Sequence, residues 1–193
     1  MRNEYESEMS LKELKREIRL KAKNGVDFIM AAAVCWFGLF IIWRFTHSSP
    51  WEKNVITFMV GGIMLPLAFV FSKIAKTNWK IKDNPLQPLG LWLNFAQLIY
   101  FPFLFFFFVK FPDYFIMAYA IITGAHLFPY AWFYEEKGYA IVAVIISMGA
   151  MLIASLLDPV DIFYVPLLTA TFLLVLGIRL LLKVEPRIKK SKR

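Results

Sequence analysis

The sequence predicts an all-α integral membrane protein: one bundle of six transmembrane helices, preceded by a short basic amphipathic helix on the membrane surface. Three observations carry this. The apolar residues, 59% of the chain, gather in long blocks, and a soluble domain runs nearer half apolar. Each block is about 20 residues long, the length that a helix needs to cross the hydrocarbon core. The charges collect between the blocks and at the two ends, as a bilayer requires. A transmembrane barrel would need strands of about ten alternating residues, a pattern that this chain does not carry.

The first element is the surface helix, within residues 1–25. Ser10 and Glu13 have capping-box spacing. Leu11, Leu14, Ile18 and Ala22 then recur on one helical face, among Lys12, Lys15, Arg16, Arg19 and Lys23. Such a helix lies on a membrane with its cations near anionic headgroups. Asn24-Gly25 is its stop. The bundle follows over 26–182, in six blocks: Val26–Phe45, Asn54–Ser72, Leu89–Val109, Tyr114–Tyr134, Gly138–Leu157 and Val160–Leu182. A basic tail occupies 183–193. The charged start shows no small-residue cleavage site behind a short apolar region, so the first block is expected to stay as a helix. The connections are short, the longest being Lys73–Pro88, and one domain is expected.

Orientation follows from the cations. With both termini in the cytoplasm, nineteen of the 22 lysines and arginines fall inside, and only Arg44, Lys53 and Lys110 fall outside. That is the positive-inside pattern, and two basic ends imply an even number of spans. Trp43, Trp51, Trp79 and Trp132 fall near block ends, as interfacial aromatics do. The chain also resembles itself at an offset of 87: Phe28-Ile29-Met30-Ala31 returns as Phe115-Ile116-Met117-Ala118, and Gly62, Met64 and Leu65 meet Gly149, Met151 and Leu152. Halves of three spans each would have opposite orientation, a three-plus-three inverted repeat of the kind found in transporters.

The formal charge of +8 does not point to nucleic acid, because the cations flank apolar spans and meet lipid headgroups instead. Membrane lipids are the expected partners; a homo-oligomer is compatible with the sequence, which sets no stoichiometry. Cys35 sits alone within an apolar block, and no zinc pattern surrounds it. No phosphate-binding glycine loop, HExxH, GxSxG or buried carboxylate pair is present. No enzymatic activity, cofactor or metal is therefore expected.

The polar residues within the spans are few. Asn94 and Gln97 share a face of the third block, and Thr123 and His126 share a face of the fourth. Tyr130 extends that second face. Gly61-Gly62 and Pro66 are expected to break the second block, and Pro129 the fourth, at a similar depth. Polar groups at such depth avoid lipid. Asn94, Gln97 and His126 are thus expected to cluster, either bonded to one another as packing locks or lining a polar pocket open to the cytoplasm. The pocket implies transport or small-ligand binding. The alternative is a non-catalytic accessory, stress or immunity protein that acts through helix or lipid contacts.

The stretch Ala120–Tyr134, with Gly124-Ala125-His126-Leu127-Phe128-Pro129-Tyr130, resembles a motif of a family of small uncharacterised bacterial membrane proteins. So does Asn84–Phe101, which opens with Asn84-Pro85-Leu86. The resemblance implies a bacterial plasma-membrane (inner-membrane) protein with several spans. It implies no activity and no site residue.

Overall fold

The computed structural model describes residues 10–191, with side chains as far as Lys183. Among the described residues eight α-helices form: α1 (Leu11–Lys21), α2 (Val26–Phe45), α3 (Pro50–Ala75), α4 (Gln87–Ile99), α5 (Phe101–Lys110), α6 (Phe115–Phe133), α7 (Gly138–Leu156) and α8 (Tyr164–Ser191). The described residues contain six helical stretches long and apolar enough to cross a membrane, with α4 and α5 together making the third. The basic tail expected over 183–193 continues α8 as far as Ser191, and residues 192–193 lie outside the described part.

The capping boxes form where the sequence puts them. Ser10 and Glu13 cap α1, and Ser49 and Glu52 cap α3 in the same way. The second cap lengthens α3 beyond the apolar block that announces it. Lys23, Asn24 and Gly25 all take left-handed backbone, with φ of 47°, 57° and 69°. Glycine holds that conformation at no cost and asparagine at little, so the chain turns sharply between α1 and α2.

The surface helix differs from expectation in what it covers. Its inner face meets protein: Ile18 is buried, and the buried Lys15 places Nζ 3.2 Å from the centre of the Trp132 ring. The residue behind this contact lies on the cationic side of the sequence pattern. A long lysine stem buries along an aromatic face while its charge meets the ring.

The expected helix breaks are corrected. α3 runs unbroken through Gly61, Gly62 and Pro66, and α6 through Pro129. One proline removes one backbone bond. The surrounding apolar medium offers the other backbone groups no alternative partner, so the helix persists. The real interruption is in the third span, at Tyr100, where the amide turns back to the carbonyls of Gln97 and Leu98 ahead of Pro102.

In the bundle α2 packs against α3 and α8, and α7 packs against α6 and α8. The first two spans of each half therefore pair alike. The third spans do not: α8 lies between α2 and α7, whereas α4 and α5 lean on α6 at the periphery. Gly138 begins α7 beside Glu136, whose carboxylate takes Arg179 Nε at 3.0 Å and Lys183 Nζ at 2.6 Å, tying the α6–α7 turn to α8.

Candidate functional site

The bend at Tyr100 creates a cavity. Above it, α5 closes against α3 and α6 through rings around Phe58, which lies 5.4 Å from Phe105 and 5.0 Å from Phe115. Below it, α4 turns to α6: Gly90 lets the Phe133 ring approach so closely that a Cβ there would stand 3.0 Å from it. α3 and α4 are left facing each other across a space of about 250 Å³, walled also by α2 and α6. Leu91 lines this space and is still 55% exposed.

Asn94, Gln97, Thr123, His126 and Tyr130 all line the cavity, as does Gly61. They are not bonded as one knot. The Tyr130 hydroxyl donates to Asn94 Oδ1 at 2.9 Å, and Asn94 Nδ2 donates to the Gly90 carbonyl at 3.1 Å. Thr123 donates within its own helix, to the Tyr119 carbonyl at 2.9 Å. The His126 ring stands edge-on to Tyr130, with centroids 5.3 Å apart. Gln97 and His126 line the cavity without a side-chain hydrogen bond among the described residues. The interhelical bonds are thus those of the Tyr130 hydroxyl, to Asn94 Oδ1 and, at 3.4 Å, to the Gly90 carbonyl, and no side-chain hydrogen bond joins Asn94, Gln97 and His126 to one another. Gly61 has a separate role: a Cβ there would stand 2.9 Å from the Tyr119 hydroxyl. Gly62, Pro66 and Pro129 are not part of the wall.

The residue that sequence reasoning passed over is Asp27. It is the second residue of α2 and only 2% exposed, and it faces the cavity floor. Its Oδ1 accepts the Phe28 amide at 3.0 Å; its Oδ2 accepts Thr77 Oγ1 and Trp79 Nε1, each at 2.6 Å. Its signal in the sequence is a carboxylate just inside the edge of an apolar block. Tyr134 stands beside it on the floor.

The floor is closed from below. α1 contributes Ile18 and Ala22, and the α3–α4 loop contributes Trp79 and Ile81. Asn84 Nδ2 fastens the loop to α1 through the Leu14 carbonyl at 3.0 Å and Glu17 Oε2 at 2.8 Å. Lys21 and then Asn84 hold the Glu17 carboxyl below its ordinary range. Arg19 pairs with Glu135 at 2.6 Å. The sequence puts the pocket's opening at this end, but α1 and the loop lie across it, because Asn78, Asn84 and Glu135 all supply partners for α1.

A mostly apolar wall with a few polar groups is the ordinary make-up of a small-molecule pocket. Among the described residues no three of His, Cys, Asp and Glu come together to hold a metal ion. No curated protein and no solved structure matches the chain significantly. The family of unknown function DUF7010 matches residues 11–183, from α1 to the last described side chain of α8, and the chain belongs to that family.

Proposed function

We propose that the protein binds a small molecule in the cavity between α2, α3, α4 and α6, as a transporter or a ligand-binding membrane protein. Asn94, Gln97, Thr123, His126 and Tyr130 are its contact residues. The observation that supports this most is that Gln97 and His126 line an aromatic cavity without a side-chain hydrogen bond among the described residues. Polar groups left unpaired at such depth are expensive unless something else bonds them. Nineteen of 22 cations on one side support a plasma membrane with both termini in the cytoplasm, which puts α1 and the cavity floor on the cytoplasmic side. An inverted repeat belongs to this reading for the first two spans of each half only.

A thermal-shift screen of the purified chain against small amphipathic metabolites tests it. A ligand at a hundred times its Kd should stabilise the fold by about 2.7 kcal/mol. His126→Ala should fold and lose that stabilisation. A screen without a hit, or a hit that His126→Ala keeps in full, would sink the proposal. The second reading, an accessory protein acting through helix contacts, draws on the third span, where Leu104 is the one buried residue of α4 and α5 and Trp92, Phe95 and Phe103 face outward. Cross-linking in intact membranes to one stoichiometric partner through α4, with no ligand found, would favour it.

A further inference from the structure

We infer that the ligand of this cavity is a small organic cation, held at the floor by Asp27 and the aromatic rings around it. The inference rests on the reading of the cavity as a ligand site and adds the charge of the ligand. Asp27 is the one Asp, Glu, Lys or Arg in the cavity wall among the described residues. No Lys or Arg nitrogen among the described residues lies within the 4.0 Å of an ion pair with it, although basic residues are close in sequence. Lys23, one turn earlier, donates instead to the Ala75 carbonyl at 2.6 Å; Arg19 goes to Glu135 and Lys21 to Glu17. The cavity therefore holds a carboxylate without a counter-ion.

Three donors meet that carboxylate. An ionised carboxylate offers about four acceptor positions, so one position remains, together with the whole of its charge. The rings complete the site. Trp79 stacks on Phe28 with centroids 4.9 Å apart, and Tyr134 and Tyr139 lie on the other side of the floor, 5.7 Å from each other. Aromatic faces attract a cation, most strongly where water is scarce. An anion would meet the Asp27 charge with no cation to offset it. A neutral ligand would leave that charge uncompensated. Higher up, Trp36 and Tyr119 are stacked at 5.4 Å and offer an apolar wall. A flat or alkyl body lies there while its charged end reaches Asp27.

The test uses the full chain in lipid nanodiscs and three compounds of one shape. These are benzyltrimethylammonium, the uncharged neopentylbenzene and the anionic phenylmethanesulfonate. Quenching of tryptophan fluorescence is read against protein-free discs, since Trp36 and Trp79 line the cavity. The cation should bind saturably, at least about tenfold more tightly than the neutral compound, a difference of one factor of ten in Kd. The anion should not bind. Asp27→Asn should bring the cation to the level of the neutral compound and leave the neutral one unchanged. Equal binding of cation and neutral compound overturns the assignment of charge but leaves the cavity a ligand site. Failure of all three to bind also overturns it, and the His126→Ala screen then decides the cavity's role separately. Where Asp27→Asn does not fold, the three-compound comparison on the unaltered chain is sufficient.

Discussion

Gly124→Val is expected to be the most damaging single substitution in the bundle. A Cβ on Gly124 would stand 2.6 Å from Ser147 Oγ, 3.0 Å from the Ala143 carbonyl and 3.1 Å from Ile146 Cγ2. The serine hydroxyl could turn aside, at the expense of its 3.3 Å bond to the Ile121 carbonyl. The Ala143 carbonyl cannot, because it belongs to the backbone of α7. Relief requires α6 and α7 to separate along their seam. In lipid no hydrophobic force holds helices together, so close packing at small residues carries the association. Overpacking a fitted site costs about 1–3 kcal/mol, and a branched side chain against backbone belongs at the upper end, ~3 kcal/mol. Gly62→Val is the control, since nothing lies within 4 Å of a Cβ there. The melting temperature in detergent, followed by circular dichroism, should fall sharply for the first and hardly for the second. Equal melting temperatures would show that the α6–α7 seam has slack.

Loss of the Glu136 carboxylate is expected to have the next largest effect, and it should depend on pH. The side chain is buried, and it accepts from Arg179, Lys183 and the Gly138 amide. Burial pulls its carboxyl up; Lys183, the Gly138 amide and Arg179 together outweigh burial and hold it below its ordinary range. The folded value is therefore lower than the unfolded one, which is about 4.3. The stabilisation is fully present above the unfolded value and is lost as pH falls through the folded one. Glu136→Gln should lower stability by ~2 kcal/mol at neutral pH, the scale of hydrogen bonds to a charged group. Below about pH 4.3 the wild-type chain should lose stability faster than the variant, until the two curves approach. Parallel melting curves from pH 7 down to pH 3 would show that the Glu136 ion pairs do not stabilise the fold.

The spans were legible because a bilayer makes block length and charge placement do most of the specification. Val26–Phe45 reads off the sequence with the bounds that the helix has. The failures have local causes. Proline reads as a break, yet a helix in an apolar medium tolerates Pro66 and Pro129, while Pro102 sits where the third span does divide. Which proline interrupts depends on the neighbours: α5 is drawn to α3 through the rings around Phe58, and α4 is drawn to Phe133. No periodicity records that.

The wall of the cavity was legible in part. Asn94, Gln97, Thr123, His126 and Tyr130 stand out because they are polar in apolar blocks, and they line one space. Their hydrogen bonds were not legible, because the helix faces depend on rotation about axes that a sequence does not fix. Asp27 was hidden by its address. At a helix start a carboxylate is ordinary, and only the fold brings Thr77 and Trp79 over it. Glu136 was hidden in the same way, as one of two glutamates in a turn, until Arg179 and Lys183 meet it from α8.

The docking of α1 sets an order for the chain's biogenesis. α1 leaves the ribosome before the residues that hold it. Asn78 and Asn84 emerge only after two spans, and Trp132 and Glu135 only with the fourth. Until then α1 has its capping box and the Glu17–Lys21 pair to rely on. Its 11 residues fall short of the roughly 12–15 at which an isolated helix becomes even marginal in water. α1 is thus made before the residues that order it, and a nascent chain stalled after its third span has an unsealed floor.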